Sequence, residues 1–217
     1  MNNELLTLEH SMAGKYLEKC DYPWQILPKI GQIITELQKS LPKEYKEVTK
    51  GVFIHESTVV SPLSTIIAPC IIGKDCEVRP GAYIRGNALI GDDCVVGNST
   101  EVKNAIVFDG VQIPHYNYVG DCILGYKAHL GAGAVISNVK SDKTEVSSYD
   151  LDGNRIPTGL EKCGGFLGDH AEIGCHSVVT PGSVIGKNSN VYPLVMVRGY
   201  VPENSILKSG NVLVKKI

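Results

Sequence analysis

The sequence predicts an all-β protein built on a parallel β-helix and preceded by a small helical region. From position 54 to position 102, a large aliphatic residue recurs every six residues without a miss. Before position 50, hydrophobic residues instead follow the i, i+3, i+4 spacing of an amphipathic helix. We therefore divide the chain into a helical cap over residues 1–50 and a β-helix over residues 51–217.

The helical region contains two patterns. Leucines and other hydrophobic residues between 5 and 17 give a ragged helical spacing, and residues 26–37 give a regular one after Tyr22-Pro23-Trp24. Pro42 stops the second pattern, since proline cannot continue a helix. We interpret the region as a cap that covers one end of the β-helix.

The six-residue period is the signature of a hexapeptide β-helix, in which three short strands complete one coil of about 18 residues. A small residue stands four positions after each aliphatic one: Thr58, Ser64, Cys70, Cys76, Ala82, Ala88, Cys94 and Thr100. After five-residue steps at 102–107 and 119–124, the register runs on to 136 and resumes from 167 to 197. This predicts about seven coils, and the tail NVLVKKI is interpreted as a final strand.

The register lapses in a polar segment, which we interpret as a loop at about 138–166 that projects from the β-helix. A loop longer than about 15 residues in a compact repeat protein is usually either functional or disordered. Its length therefore marks it as a candidate part of a binding site.

Composition bounds the function. The formal net charge of −2 provides no attraction to nucleic acid or to anionic membranes, and no apolar stretch is long enough to span a bilayer. The N-terminus lacks the pattern of a secretory signal, so we expect a cytoplasmic protein without nucleic-acid or membrane partners. The seven cysteines form no CxxC pair, and those at small repeat positions are expected to pack rather than to bind metal.

Cationic residues follow three of the inward aliphatic positions, namely Arg79, Arg85 and Lys103. A coil of 18 residues stacks Arg85 on Lys103, and two adjacent cations repel unless an anion lies between them. This stack is either a phosphate-binding site or a solvated basic patch. His115 is expected to point outward nearby, where it is a candidate base because histidine titrates near neutral pH.

Four segments together resemble a known family: VRPGAYIRG (78–86), EVKN (101–104), HYNYVGD (115–121) and LGAGAVISN (130–138). They are similar to the left-handed β-helix acetyltransferase domain of bifunctional sugar-1-phosphate nucleotidylyltransferase/amino-sugar N-acetyltransferases. The loop segments GNRIPTG and GGFLGD resemble the archaeal-type members. The resemblance implies a left-handed helix and a homotrimer whose sites lie between subunits.

The resemblance also implies an activity: transfer of an acetyl group from acetyl-CoA to the amino group of an amino-sugar 1-phosphate such as glucosamine-1-phosphate, with no metal required. His115 matches the general base. The residues expected to bind the substrate are Arg79, Arg85, Lys103, Tyr118, Asn138 and Lys143. The backbone of Gly131, Ala132 and Gly133 matches the strip along which the pantetheine arm of acetyl-CoA lies.

The chain departs from the family in several respects. The loop lacks a second lysine that the family has near Lys143, and Leu160-Glu161 replaces a basic pair. His129 stands where the family usually has asparagine, and no glycine-rich nucleotide-binding segment lies near the N-terminus. We therefore expect no nucleotidyltransferase activity from this chain.

Two other functions stay open. One is a zinc enzyme like the γ-type carbonic anhydrases, although the histidine spacing does not favour it. The other is a non-catalytic trimeric scaffold or sugar-nucleotide-binding protein.

Overall fold

A computed structural model describes residues 1–216. In this range the α-helices are α1 (Asn2–Leu5), α2 (Gly14–Leu17) and α3 (Ile30–Leu37), and 3-10 helices lie at Leu8–His10, Pro23–Lys29, Gln38–Ser40 and Ser209–Asn211. The strands are β1 (Tyr45–Thr49), β2 (Val52–His55), β3 (Val59–Val60), β4 (Thr65–Ile66), β5 (Cys70–Ile72), β6 (Glu77–Val78), β7 (Tyr83–Ile84), β8 (Ala88–Ile90), β9 (Val95–Asn98), β10 (Glu101–Val107), β11 (Gln112–His115), β12 (Tyr118–Leu124), β13 (His129–Leu130), β14 (Val135–Ile136), β15 (Val146–Tyr149), β16 (Arg155–Leu160), β17 (Phe166–Leu167), β18 (Glu172–Ile173), β19 (Val178–Val179), β20 (Val184–Ile185), β21 (Asn190–Val191), β22 (Met196–Val197), β23 (Tyr200–Val201), β24 (Ser205–Lys208) and β25 (Val212–Lys215).

The strands stack in parallel ladders that form the three faces of a left-handed β-helix, so the predicted fold class is confirmed. The first face contains β2, β5, β8, the second halves of β10 and β12, β17, β20 and β23. The second face contains β3, β6, β9, β11, β13, β18, β21 and β24. The third face contains β4, β7, the first halves of β10 and β12, β14, β19 and β22. The first face alone stacks eight strands, so the predicted seven coils were too few.

The inward positions build the core as the six-residue period requires. Ile84, Val102 and Val119 are fully buried, and Cys70, Cys76 and Cys94 are buried beside them as small packing groups. Each fully buried aliphatic side chain stabilises the fold by about 1.5–3 kcal/mol relative to an exposed one. The stability of the β-helix therefore depends on an unbroken column of such buried residues.

The cap lies along a side of the β-helix, so the prediction that it covers one end was wrong. The strands of the first face have an outward residue that is also apolar, and Leu89, Ile106, Ile123 and Phe166 are at most 2% exposed. The helix α3 contacts β8 and β10, and Trp24 packs against Phe166 with ring centroids 5.7 Å apart. Apolar side chains that point outward from the β-helix would be exposed to water, and the cap buries them.

Parts of residues 1–50 are not α-helical. The predicted helix at 26–37 becomes α-helical only at Ile30, because Pro28 has no N–H to continue the helical hydrogen bonds, and Pro23–Lys29 is a 3-10 helix. Strand β1 pairs antiparallel with β2. Strand β25 agrees with the predicted final strand, although Ile217 lies outside the described residues.

The segment at 138–166 interrupts the ladders as predicted, but it packs against the β-helix and does not only project from it. Strands β15 and β16 form an antiparallel pair. Val146 is buried, and the hydroxyl of Ser148 donates a hydrogen bond of 2.8 Å to the carbonyl of Gly182. The pair therefore folds back against the β-helix.

None of the helices in residues 1–216 is long and apolar enough to cross a bilayer.

Candidate functional site

Shortened turns create a polar cluster between the third and first faces. The chain turns through Arg85, Gly86 and Asn87 in one coil, but through only two residues at 103–104 and at 120–121. Strands β10 and β12 continue through these two turns unbroken. Asn104 and Asp121 take positive φ values of 45° and 51°. We call this turn region, with Asn138 in the next coil, the site corner.

Asp121 is the centre of the site corner. Its side chain is only 7% exposed, and its Oδ2 lies 3.1 Å from the Nζ of Lys103. The amide of Asn104 donates a 2.8 Å hydrogen bond to Oδ1, and the amide of Asn138 donates to Oδ2. A buried carboxylate is costly unless it is paired and hydrogen-bonded, and here it is both. Asp121 therefore fixes the positions of Lys103, Asn104 and Asn138.

Tyr118 extends this cluster across the third face. Its hydroxyl accepts a hydrogen bond of 3.2 Å from the amide of Asn138. Burial raises the pKa of Tyr118, and the nearby Asp121 carboxylate raises it further. The phenol thus stays protonated and can serve as a neutral hydrogen-bonding group.

The predicted stack of Arg85 and Lys103 is present on the third face, because β7 and β10 pair Ile84 with Val102. Each of the two cations is paired with a separate carboxylate of the protein itself. Arg85 lies 2.7 Å from Glu101, while Lys103 is paired with Asp121. Arg79 is paired in the same way with Glu77, at 2.9 Å. The three cations are therefore neither a free phosphate site nor a purely solvated patch.

His115 lies at the opposite edge of the third face, where strand β11 ends. Its ring is exposed, and Nδ1 is 3.3 Å from the Oδ1 of Asn98, which stands beside it one coil earlier. Its backbone N–H donates a 3.0 Å hydrogen bond to the side chain of Asn117. Within residues 1–216, no hydrogen bond joins His115 to the site corner. We call this turn, residues 114–117 and the turns stacked on it, the histidine corner.

The Gly131-Ala132-Gly133 strip lies in the histidine corner, one coil after His115. A Cβ on Gly131 would lie 2.7 Å from the backbone N of Cys175, and Gly133 has a φ of 70°. The N–H groups of both glycines already donate, to Ile173 and to His115. Coil packing alone therefore explains these glycines, and their predicted contact with pantetheine stays a prediction.

The predicted residue Lys143 and the departing residue His129 both lie apart from the site corner. Lys143 is exposed in the turn before β15, where its backbone N–H bonds to the carbonyl of Lys140. His129 lies on the second face between Gln112 and Glu172. Among residues 1–216, no three His, Cys, Asp or Glu side chains are placed to hold a metal ion.

The residues that sequence reasoning missed include Asn98, Asn104 and the carboxylates Glu77, Glu101 and Asp121. Asn98, Asn104 and Asp121 belong to coils adjacent to their partners, so linear spacing hid the contacts. One signal was available: both five-residue steps in the repeat fall at the site corner. A shortened turn moves side chains of neighbouring coils together.

A family profile described as the GMPPB C-terminal domain matches residues 66–150. A bifunctional sugar-1-phosphate nucleotidylyltransferase/acetyltransferase from Sulfurisphaera tokodaii is 34% identical over 175 residues, which cover 79% of this chain and 43% of that protein. The resemblance seen in the sequence is thereby confirmed.

The bifunctional protein GlmU of Methanococcus maripaludis is 29% identical over 203 residues, or 92% of this chain and 49% of the relative. The chain thus spans about half the length of the curated relatives it matches. Among solved structures, the acetyltransferase domain of PglB from Neisseria gonorrhoeae, in complex with acetyl coenzyme A, is 17% identical with a TM-score of 0.35. That match covers 85% of this chain and 63% of the other.

Proposed function

We propose that the protein transfers an acetyl group from acetyl-CoA to the amino group of an amino-sugar 1-phosphate of the glucosamine-1-phosphate type. The supporting observation is that the HYNYVGD segment, which carries the family resemblance, supplies His115, Tyr118 and Asp121 to the two corners of the third face. The name of the 34% identical relative includes acetyltransferase activity, and we extend that activity to this chain.

His115 is the proposed general base. Only an unprotonated amine attacks a thioester, so the base must take a proton from the amine as its nitrogen bonds to the acetyl carbon. The carbon–sulfur bond then breaks, and the same proton passes to the sulfur of CoA. Asn98 faces Nδ1 at 3.3 Å, which leaves Nε2 as the ring nitrogen that accepts the proton.

The cations on the third face are proposed to bind the phosphate and sugar. The Arg85–Glu101 pair is exposed, so a phosphate can replace its carboxylate at little cost. Lys103 is held more firmly, because its partner Asp121 is buried. Arg85 is therefore the cation most free to meet the phosphate. Lys103 and Tyr118 offer donors to sugar hydroxyls, and Asn138, whose amide N–H groups are both used, offers its side-chain oxygen as an acceptor.

We further propose a homotrimer. His115 and the site corner lie at opposite edges of the third face, so a complete site needs the histidine corner of one subunit against the site corner of another. The third face also exposes large hydrophobic residues at Tyr83, Val178 and Met196, whereas the cap covers the first face. Exposed rows of this kind are typical of subunit contacts.

The test is CoA thiol release from acetyl-CoA in the presence of glucosamine-1-phosphate, with glucosamine as the phosphate-free control. We expect release that depends on the amino sugar, and a lower KM for the phosphorylated acceptor. Thiol release no faster than background hydrolysis with every amino sugar would contradict the proposal.

The second candidate function is a non-catalytic trimeric scaffold, which would bind a sugar nucleotide without turnover. It is favoured by the observation that all three cations have protein carboxylates as partners.

A further inference from the structure

In six successive coils, one residue of the histidine corner has a left-handed backbone. The φ values of this column lie between 51° and 76°, and its members are Gly81, Ser99, Tyr116, Gly133, His176 and Leu194. Glycine adopts this conformation freely, whereas other L-residues, except asparagine and aspartate, are strained in it. Among the fifteen non-glycine residues with positive φ in residues 1–216, only Tyr116 and Leu194 are large and hydrophobic.

Within its own chain Tyr116 gains little packing in return for this strain, since it is 63% exposed. Glycine occupies the same column at 81 and 133, so the turn accepts glycine without a change of backbone. A strained residue that persists without packing is commonly one that function requires.

The position of Tyr116 shows what its ring can reach. It directly follows His115, so the two Cα atoms are about 3.8 Å apart. Both residues are exposed at the same turn. A sugar whose amine is within hydrogen-bond reach of His115 can therefore place its ring near Tyr116.

We propose that Tyr116 is a specificity-determining residue whose ring stacks on the apolar face of the acceptor's sugar ring. This inference rests on the proposed acetyl transfer. The face of a phenol ring carries partial negative charge, which attracts the weakly positive C–H groups of a sugar. The phenolic hydroxyl is not needed for this contact.

The experiment compares Tyr116→Gly with Tyr116→Phe and with Leu194→Gly. Leu194 is a matched control, because it has the same left-handed backbone in the same column and is 78% exposed, three coils further along. Both glycine variants should raise Tm by about 2–4 °C, as relief of backbone strain does in a chain of this size. Tyr116→Gly alone should raise the KM of the amino-sugar phosphate about 3- to 10-fold, with kcat and the KM of acetyl-CoA unchanged.

Tyr116→Phe should retain the KM of the unchanged protein. A Tyr116→Gly KM within twofold of the original, or an equal rise for Leu194→Gly, would overturn the inference. A smaller particle by light scattering for Tyr116→Gly would overturn it too, since Tyr116 would then be a subunit contact. Failure of the proposed function is distinct, because it shows as absent acetyl transfer in the unchanged chain, and the inference then falls with it.

Discussion

The first and third faces of the β-helix share an inward pattern and differ in what they turn outward. On the first face the outward residues are apolar and buried, as at Ile106 and Ile123. On the third face they include charged residues, as at Arg85, Glu101 and Lys103. The inward residues thus specify a scaffold, and the outward ones decide whether a face is covered or is available for binding.

The two faces meet at the site corner, where the cap reaches the polar cluster. The side-chain amide of Asn104 lies 3.4 Å from the carbonyl of Leu27 in the cap and 2.8 Å from Asp121. The cap therefore supports the edge of the candidate site as well as the first face.

The largest effect should come from a charge on the covered face. Ile123→Asp places an unpaired carboxylate beneath the cap and should destabilise the protein by at least about 3 kcal/mol, measured by urea denaturation. Val59→Asp is the control, since Val59 is an exposed outward residue of the second face and is not among the proposed subunit contacts. It should change stability by less than about 0.5 kcal/mol. Equal losses for the two variants would show that the faces do not differ in this way.

A smaller loss should follow when the site corner loses its central charge. Asp121→Asn leaves the part-buried Lys103 without an anion and should cost about 2 kcal/mol in denaturant unfolding. Adding Lys103→Met should recover part of this loss, since it removes the unpaired cation. Glu101→Gln is the control in the exposed pair, and it should leave the unfolding midpoint unchanged. No recovery in the double variant would argue against the Lys103–Asp121 pair.

The smallest effect concerns phosphate recognition on the third face. Arg85→Ala should raise the KM of glucosamine-1-phosphate by about 3- to 10-fold and leave kcat nearly unchanged. A cation that holds a phosphate away from the amine binds substrate and transition state alike. Glucosamine without phosphate is the internal control, because its KM should not respond. A matching rise for both acceptors would place the phosphate elsewhere.

The sequence predicted the fold because the repeat is local: one inward residue every six positions is visible without knowing any contact. It did not predict the place of the cap. Apolar runs such as Cys70-Ile71-Ile72 and Cys122-Ile123-Leu124 carried that information, since a strand that is apolar at consecutive positions is buried on both sides.

The candidate site was predicted only in part. The sequence placed Arg85 beside Lys103 correctly, since both follow inward positions one coil apart. It missed Asp121, because the contacts of this carboxylate depend on how tightly the corner turns. Asp121 reaches Lys103, Asn104 and Asn138 only because the turns at 103–104 and 120–121 are short.

The most direct test of the proposed chemistry is the rate of acetyl transfer by His115→Ala beside His55→Ala. Both histidines end a strand of the β-helix, and His55 bonds to Ser57, away from the two corners. If His115 is the base, its loss should lower kcat by about 10²- to 10⁴-fold, while circular dichroism and oligomer size stay unchanged. His55→Ala should keep the original rate. An active unchanged protein whose His115→Ala variant transfers acetyl groups equally fast would contradict the assignment of His115 as the base.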